Sequence, residues 1–358
     1  MTEKVIVDWR LAERLAGVVA GDPGDRRGVD RAGAQSTCEH ALELVLSYTG
    51  LEPLTEIPEA EVVGRREWMR ANLEAMRELA QPLEQRAAAE IDLPWPIGGL
   101  ARGALGAAAG AEAGVVLGYA ARRVLGQYHV SLGPRPWPAR MLLVGANLTA
   151  AADELGADRD PFLLWVAIHE QTHSVQFAAV PWLREHLADM VSRLIASASE
   201  TVDLRALAGA ARKLVSTDPR ETLGQALRGE LARALAGPEQ AVVLDELQAT
   251  MAVIEGYAEH VMDAALGDDA GMEAVRARLD ARRARRGGLG DMIARALGMG
   301  QKLRQYELGK EFCDAVAAER GIEGLNSVWS EPSALPSLRE LDASEAWLER
   351  TGALAPRA

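Results

Sequence analysis

The sequence predicts an α+β fold that is predominantly helical and carries a small β element. Apolar residues recur at helical spacing along most of the chain, as at Leu11, Leu15, Val18 and Val19. One short apolar run, from Arg140 to Asn147, follows the proline-rich segment Gly133–Pro138 and reads as a strand ending in a turn. With 48% hydrophobic and 25% charged residues among 358, the chain has enough apolar side chain to bury one large core or two modest ones, which argues against disorder.

Near the start, Asp8, Arg10, Glu13 and Arg14 interrupt any apolar stretch, so an amphipathic helix is expected there and a cleaved secretion signal is not. Gly103 to Ala121 is rich in Ala, Gly, Val and Leu. Glu112 lies within it, and Arg102, Arg122 and Arg123 bound it, which leaves the run too interrupted for a span of about 20 residues. A closely packed helix with small residues at its contact is the expectation. Val130–Leu132 is expected to pair with the strand at Arg140. The organisation expected is a helical region over 1–125 and a catalytic region over 126–358, or one continuous unit. Arg276 to Arg286 holds six arginines in eleven residues before Gly287 and Gly288. It reads as a solvated face at a helix end, with a docking patch for an anionic partner as the alternative.

A net charge of −13 argues against a general binder of nucleic acid or anionic membrane, because both are polyanions. Cys38 and Cys313 are the only cysteines and stand far apart, so neither a disulfide framework nor a thiolate metal cluster is expected. A reducing, cytoplasmic setting fits best.

The segment Asp160-Pro-Phe-Leu-Leu-Trp-Val-Ala-Ile-His169-Glu170-Gln-Thr-His173 carries the chemistry. Asp160 suits a helix cap and Pro161 the first helical position. On a helix, positions i and i+4 share a face, so His169 and His173 can aim ring nitrogens at one zinc ion. Glu170 projects about 100° around the axis, where its carboxylate stays off the metal and reaches a water held there. With six histidines in the chain, an accidental HExxH inside a helix is rare.

Zinc asks for a third protein ligand and an open position. No histidine follows His173 at short spacing. The best candidate is Glu255, in a second apolar helix whose acidic face also holds Glu259. A buried carboxylate is costly unless paired or metal-bound. Glu259, one turn on, is placed to accept the other ring N–H of a ligand histidine. His260 is the rival third ligand or a further outer partner, and His186 is a helix-packing residue or an outer partner of a ligand.

Three segments, WVAIHEQTHSVQFAAVPWLREHL, VIEGYAEHVMD and MGQKLRQYELGKEFCDAV, resemble the zincin-like metallopeptidases, formerly grouped as a domain of unknown function and common in actinobacteria. Within that group the likeness is greatest to the branch associated with coenzyme F420 biosynthesis, and it covers nearly the whole chain. The resemblance implies a zincin-like core with an HExxH active-site helix, zinc as cofactor, His169, His173 and Glu255 as ligands, and Glu170 as base. Tyr257 stands where relatives often have His after Glu-Gly.

Such a site would use a zinc-activated water to attack a peptide or small amide carbonyl, with Glu170 as the proton acceptor. Tyr306, Arg304, Tyr257 and His260 are candidates to stabilise the oxyanion, with Tyr306 preferred. The strand Met141–Val144 is expected to receive an extended substrate as a further strand. The alternatives are a zinc hydrolase of another small amide or ester, and a non-catalytic zinc-binding scaffold linked to F420 metabolism.

Overall fold

The computed structural model describes residues 7–21, 29–90, 97–134, 136–201, 238–266 and 304–352. Helices dominate: α1 (Trp9–Ala20), α2 (Arg31–Thr49), α3 (Arg65–Glu90), α4 (Ile97–Ala121), α5 (Gly145–Leu155), α6 (Arg159–Ala179), α7 (Pro181–Thr201), α8 (Pro238–Ala265) and α9 (Arg304–Asn326). α9 breaks at Gly321, whose φ of 71° places it in the left-handed region that glycine adopts without strain. Two short helices, Leu338–Leu341 and Ser344–Thr351, follow.

Among the described residues one three-stranded sheet stands with them. β1 (Ala60–Val63) runs parallel to β3 (Arg140–Val144), β2 (Gly126–His129) runs antiparallel to it, and the order is β1-β3-β2. Met141, Leu142, Leu143 and Val144 are all fully buried, because the sheet is covered on both faces. Side chains alternate between those faces. Ala60, Met141 and Leu143 join the larger core built by α2, α6, α7, α8 and α9, whereas Val63, Leu142 and Val144 join a smaller one with Ala12, Ala16, Trp68, Met69 and Leu117.

This topology corrects two expectations. The partner strand lies at Gly126–His129, immediately upstream of Val130–Leu132, in a register that matches Gly126 with Leu143 and His129 with Arg140. Met141–Val144 is the central strand, with main-chain partners on both sides, so it has no free edge to offer an extended substrate; the sheet's edges belong to β1 and β2. Strands from either side of residue 125 thus share one sheet, and α2 packs on α6.

α4 answers the question raised by its composition. A β-carbon at Gly110, Gly114 or Gly118 would collide with the main-chain oxygens of Asp8, Ala12 or Ala16, so α1 and α4 touch backbone to backbone. The small residues serve that contact. Among the described residues no helix is long and apolar enough to cross a membrane.

Candidate metal centre

α6 runs through the middle of the larger core, and it buries polar as well as apolar side chains. Phe162, Trp165, Val166 and Ile168 precede a stretch in which Glu170, Gln171, Thr172, His173, Ser174 and Gln176 are all buried. Buried polar groups persist when they are hydrogen-bonded. Thr172 donates to the Ile168 carbonyl, Ser174 to that of Glu170, and Gln171 to that of Cys38. The helix starts two residues earlier than its sequence suggested, with Asp158 at the N-cap. Pro161 is the third helical residue, where the N–H it lacks would have had no partner within the helix.

One turn of α6 brings His169 Nε2 to 3.2 Å from His173 Nε2. α8 supplies Glu255, with Oε2 at 3.5 Å from His169 Nε2 and Oε1 at 3.8 Å from His173 Nε2. One donor atom from each of the three residues lies within 4.8 Å of the others. Ligands about 2.0–2.1 Å from a tetrahedral zinc ion stand roughly 3.3 Å apart. The donor set and its spacing therefore fit zinc, and His169, His173 and Glu255 are the residues that could hold it.

The outer contacts of this group are unequal. His173 Nδ1 lies 2.9 Å from Gln176 Oε1, and Gln176 Nε2 donates at 3.3 Å to the carbonyl of Ile254, the residue before Glu255. His169 Nδ1 is buried without a hydrogen-bond partner among the described residues. Sequence reasoning passed over Gln176; its signal was a polar residue three positions after the second histidine, within an otherwise apolar stretch.

Glu170 lies against β2. Its Oε2 accepts the Tyr128 N–H at 2.8 Å, and its side chain covers Gly126, where a β-carbon would fall 2.7 Å from Glu170 Cγ. Only 7% of the residue is exposed. Burial pushes its carboxyl up to about 7; the neighbouring His173 and the Tyr128 N–H hold it down, while Glu255 raises it. A carboxyl in that range can take and return a proton near neutrality. Sequence reasoning missed Gly126 and Tyr128, since nothing in Gly-Gln-Tyr-His marks the strand.

The remaining candidates lie elsewhere. His260 has both ring nitrogens engaged, Nδ1 with Asp314 Oδ1 at 2.7 Å and Nε2 with the Tyr48 hydroxyl at 2.8 Å, so it turns away from Glu255 toward α9 and α2. Glu259 was expected to meet the outer ring nitrogen of a ligand histidine; His173 Nδ1 instead faces Gln176, one turn further along the same helix, and His169 Nδ1 has no hydrogen-bond partner among the described residues. Tyr257 is fully buried, its hydroxyl donating to Asn326 Oδ1 at 2.6 Å, which removes it from any oxyanion role. His186 packs edge-on against Trp182. The side chains of Tyr306 and Arg304, and the whole arginine-rich stretch Arg276–Arg286, lie outside the described residues.

The model of the zincin-like metallopeptidases matches residues 7–348. The chain belongs to that family. Its solved neighbours include a crystal structure from Chloroflexus aurantiacus, described as a proposed hydrolase with a novel fold; it is 27% identical, with a TM-score of 0.71 over 98% of this chain and 100% of the neighbour. No curated protein matches the chain. This zincin-like chain and its neighbour therefore share one architecture across almost their full lengths.

Proposed function

We propose that the chain is a zinc-dependent hydrolase acting on a peptide or small amide, with Glu170 as its general base. The observation that carries this reading is the convergence of His169, His173 and Glu255 beside a buried carboxylate that is not itself part of the donor set. Zinc, when bound, would polarise a carbonyl and acidify a water. Glu170 would take the proton through Oε1, since Oε2 is held by the Tyr128 N–H, and would return it to the departing amine. Burial keeps that carboxylate away from bulk water and raises its proton affinity above that of a free carboxyl.

A purely structural metal site has no use for a buried acid beside it, which favours catalysis over a scaffold. The link to coenzyme F420 metabolism rests on the likeness of the three quoted segments, and the sequence contains no glycine-rich phosphate loop that would make the chain itself a binder of that coenzyme. The test compares wild type with Glu170→Gln for zinc content and for hydrolysis of a peptide library. Zinc retained with hydrolysis lost supports the reading. Equal behaviour of the two proteins in both assays sinks it.

A further inference from the structure

We propose that Gln176 is the positioning residue of the metal centre: held by the Ile254 carbonyl on the helix that carries Glu255, its amide fixes the tautomer of His173. The inference rests on the reading of His169, His173 and Glu255 as zinc ligands and adds the device that holds them in place.

A carbonyl oxygen only accepts, so the contact from Gln176 to Ile254 O must come from the amide nitrogen. That contact settles which way the amide points, and it turns Oε1 toward His173 Nδ1. An amide oxygen also only accepts. Nδ1 must therefore carry the proton, and in the neutral ring Nε2 is left with its lone pair, on the side facing His169 and Glu255. A single side chain thus converts the placement of a backbone carbonyl on α8 into a metal-ready nitrogen on α6.

Gln176 is fully buried, so water does not compete for either contact. His169 has no equivalent support among the described residues, its Nδ1 being buried without a partner. The loss of Gln176 would leave neither imidazole oriented by a hydrogen bond to its far nitrogen. Outer partners of this kind typically contribute 10–100-fold to metal affinity.

The experiment measures zinc affinity by chelator competition in wild type, Gln176→Leu, Gln176→Glu and Glu255→Ala, alongside thermal unfolding of each metal-free protein. In parallel, 15N spectra of histidine-labelled, metal-free wild type report the His173 tautomer, with the signal assigned through His173→Asn. Gln176→Leu is expected to bind zinc about 10- to 100-fold more weakly. Gln176→Glu can still accept from Nδ1 but faces the Ile254 carbonyl with a negative charge; it is expected to keep zinc affinity near that of wild type while unfolding at a lower temperature. That split separates positioning from a merely structural role. The wild-type spectrum should show the Nδ1–H form.

Zinc binding by Gln176→Leu as tight as by wild type, parallel losses of affinity and stability in Gln176→Glu, or an Nε2–H form of His173 would each overturn the proposal. Should Gln176→Leu not fold, the Gln176→Glu split and the wild-type spectrum decide alone. A wild type that binds no zinc, or a Glu255→Ala variant that binds it undiminished, would overturn the ligand reading instead.

Discussion

Gly126 and Glu170 are in contact across the gap between β2 and α6, and the contact leaves no room for a side chain on the strand: a β-carbon at position 126 would lie 2.7 Å from Glu170 Cγ and 3.0 Å from Oε1. The strand cannot yield easily, because β2 is paired with β3 from Gly126 to His129. The carboxylate would have to move.

Gly126→Ala is accordingly expected to displace the Glu170 carboxylate, the proposed base, while leaving His169, His173 and Glu255 in place. A misplacement of about 1 Å near reacting groups costs on the order of 100-fold in rate. Zinc content by mass spectrometry should match wild type while kcat/KM for the best library peptide falls by about that factor. Unchanged kcat/KM would mean that Glu170 tolerates the shift or has no part in the reaction.

The two candidates for the third ligand separate cleanly. Glu255→Ala is expected to weaken zinc binding by more than about 100-fold, beyond what outer partners contribute. His260→Ala should leave zinc affinity alone and lower stability by about 1–3 kcal/mol, because Asp314 and the Tyr48 hydroxyl lose a common partner. Chelator competition and urea unfolding of both variants check the pair of outcomes.

The pH dependence of stability should carry the mark of His129. This ring is buried against Trp137, neither of its nitrogens has a hydrogen-bond partner among the described residues, and burial, with help from Arg140 and against the pull of Glu61, pushes its pKa from 6.5 down to about 4. Below pH 6.5 the unfolded chain takes up a proton that the folded one refuses, so stability falls as pH drops toward 4 and the loss is complete below that. The fall amounts to at most about 3 kcal/mol. His129→Phe should remove this component, so its stability relative to wild type should rise as pH falls through the window. A difference that stays constant with pH would count against a neutral buried ring.

Glycine contacts at two helix pairs predict different consequences. A β-carbon at Gly309 would collide with the Ala252 main chain on α8, one turn before Glu255, and one at Gly114 would collide with Ala12 on α1. Substituting either by Ala is expected to cost about 1–3 kcal/mol through overpacking. Only Gly309→Ala disturbs the helix that bears Glu255, the proposed third ligand, so zinc affinity should fall in that variant and hold in Gly114→Ala. Thermal unfolding and chelator competition on both proteins test the contrast.

The candidate donor set was more legible in the sequence than the architecture that frames it. His169, Glu170 and His173 could be read because a helix maps spacing directly onto direction, and Glu255 because a carboxylate inside an apolar helix demands a reason. β3 could be read as a strand because four apolar residues in a row follow a proline-rich turn, whereas its central place in the sheet could not. β1 could not, since Ala-Glu-Val-Val sits among Glu and Pro and is strand only by virtue of its pairing with β3. β2 has no apolar run at all, and the contacts it makes with Glu170 come from a main-chain N–H and a missing side chain, neither of which a residue pattern displays. His260 was the rival ligand as a histidine on the same acidic helix as Glu255; what settles its partners is the approach of α2 and α9, which no local pattern encodes.

The donor set is divided between two helices, α6 and α8, and the Gln176 amide spans the seam between them. A small parting of these helices would scatter the three donors while both helices stayed intact. Metal release to a chelator would then report how often that seam opens, well below the temperature at which the protein melts, and would make the bound ion a gauge of local breathing.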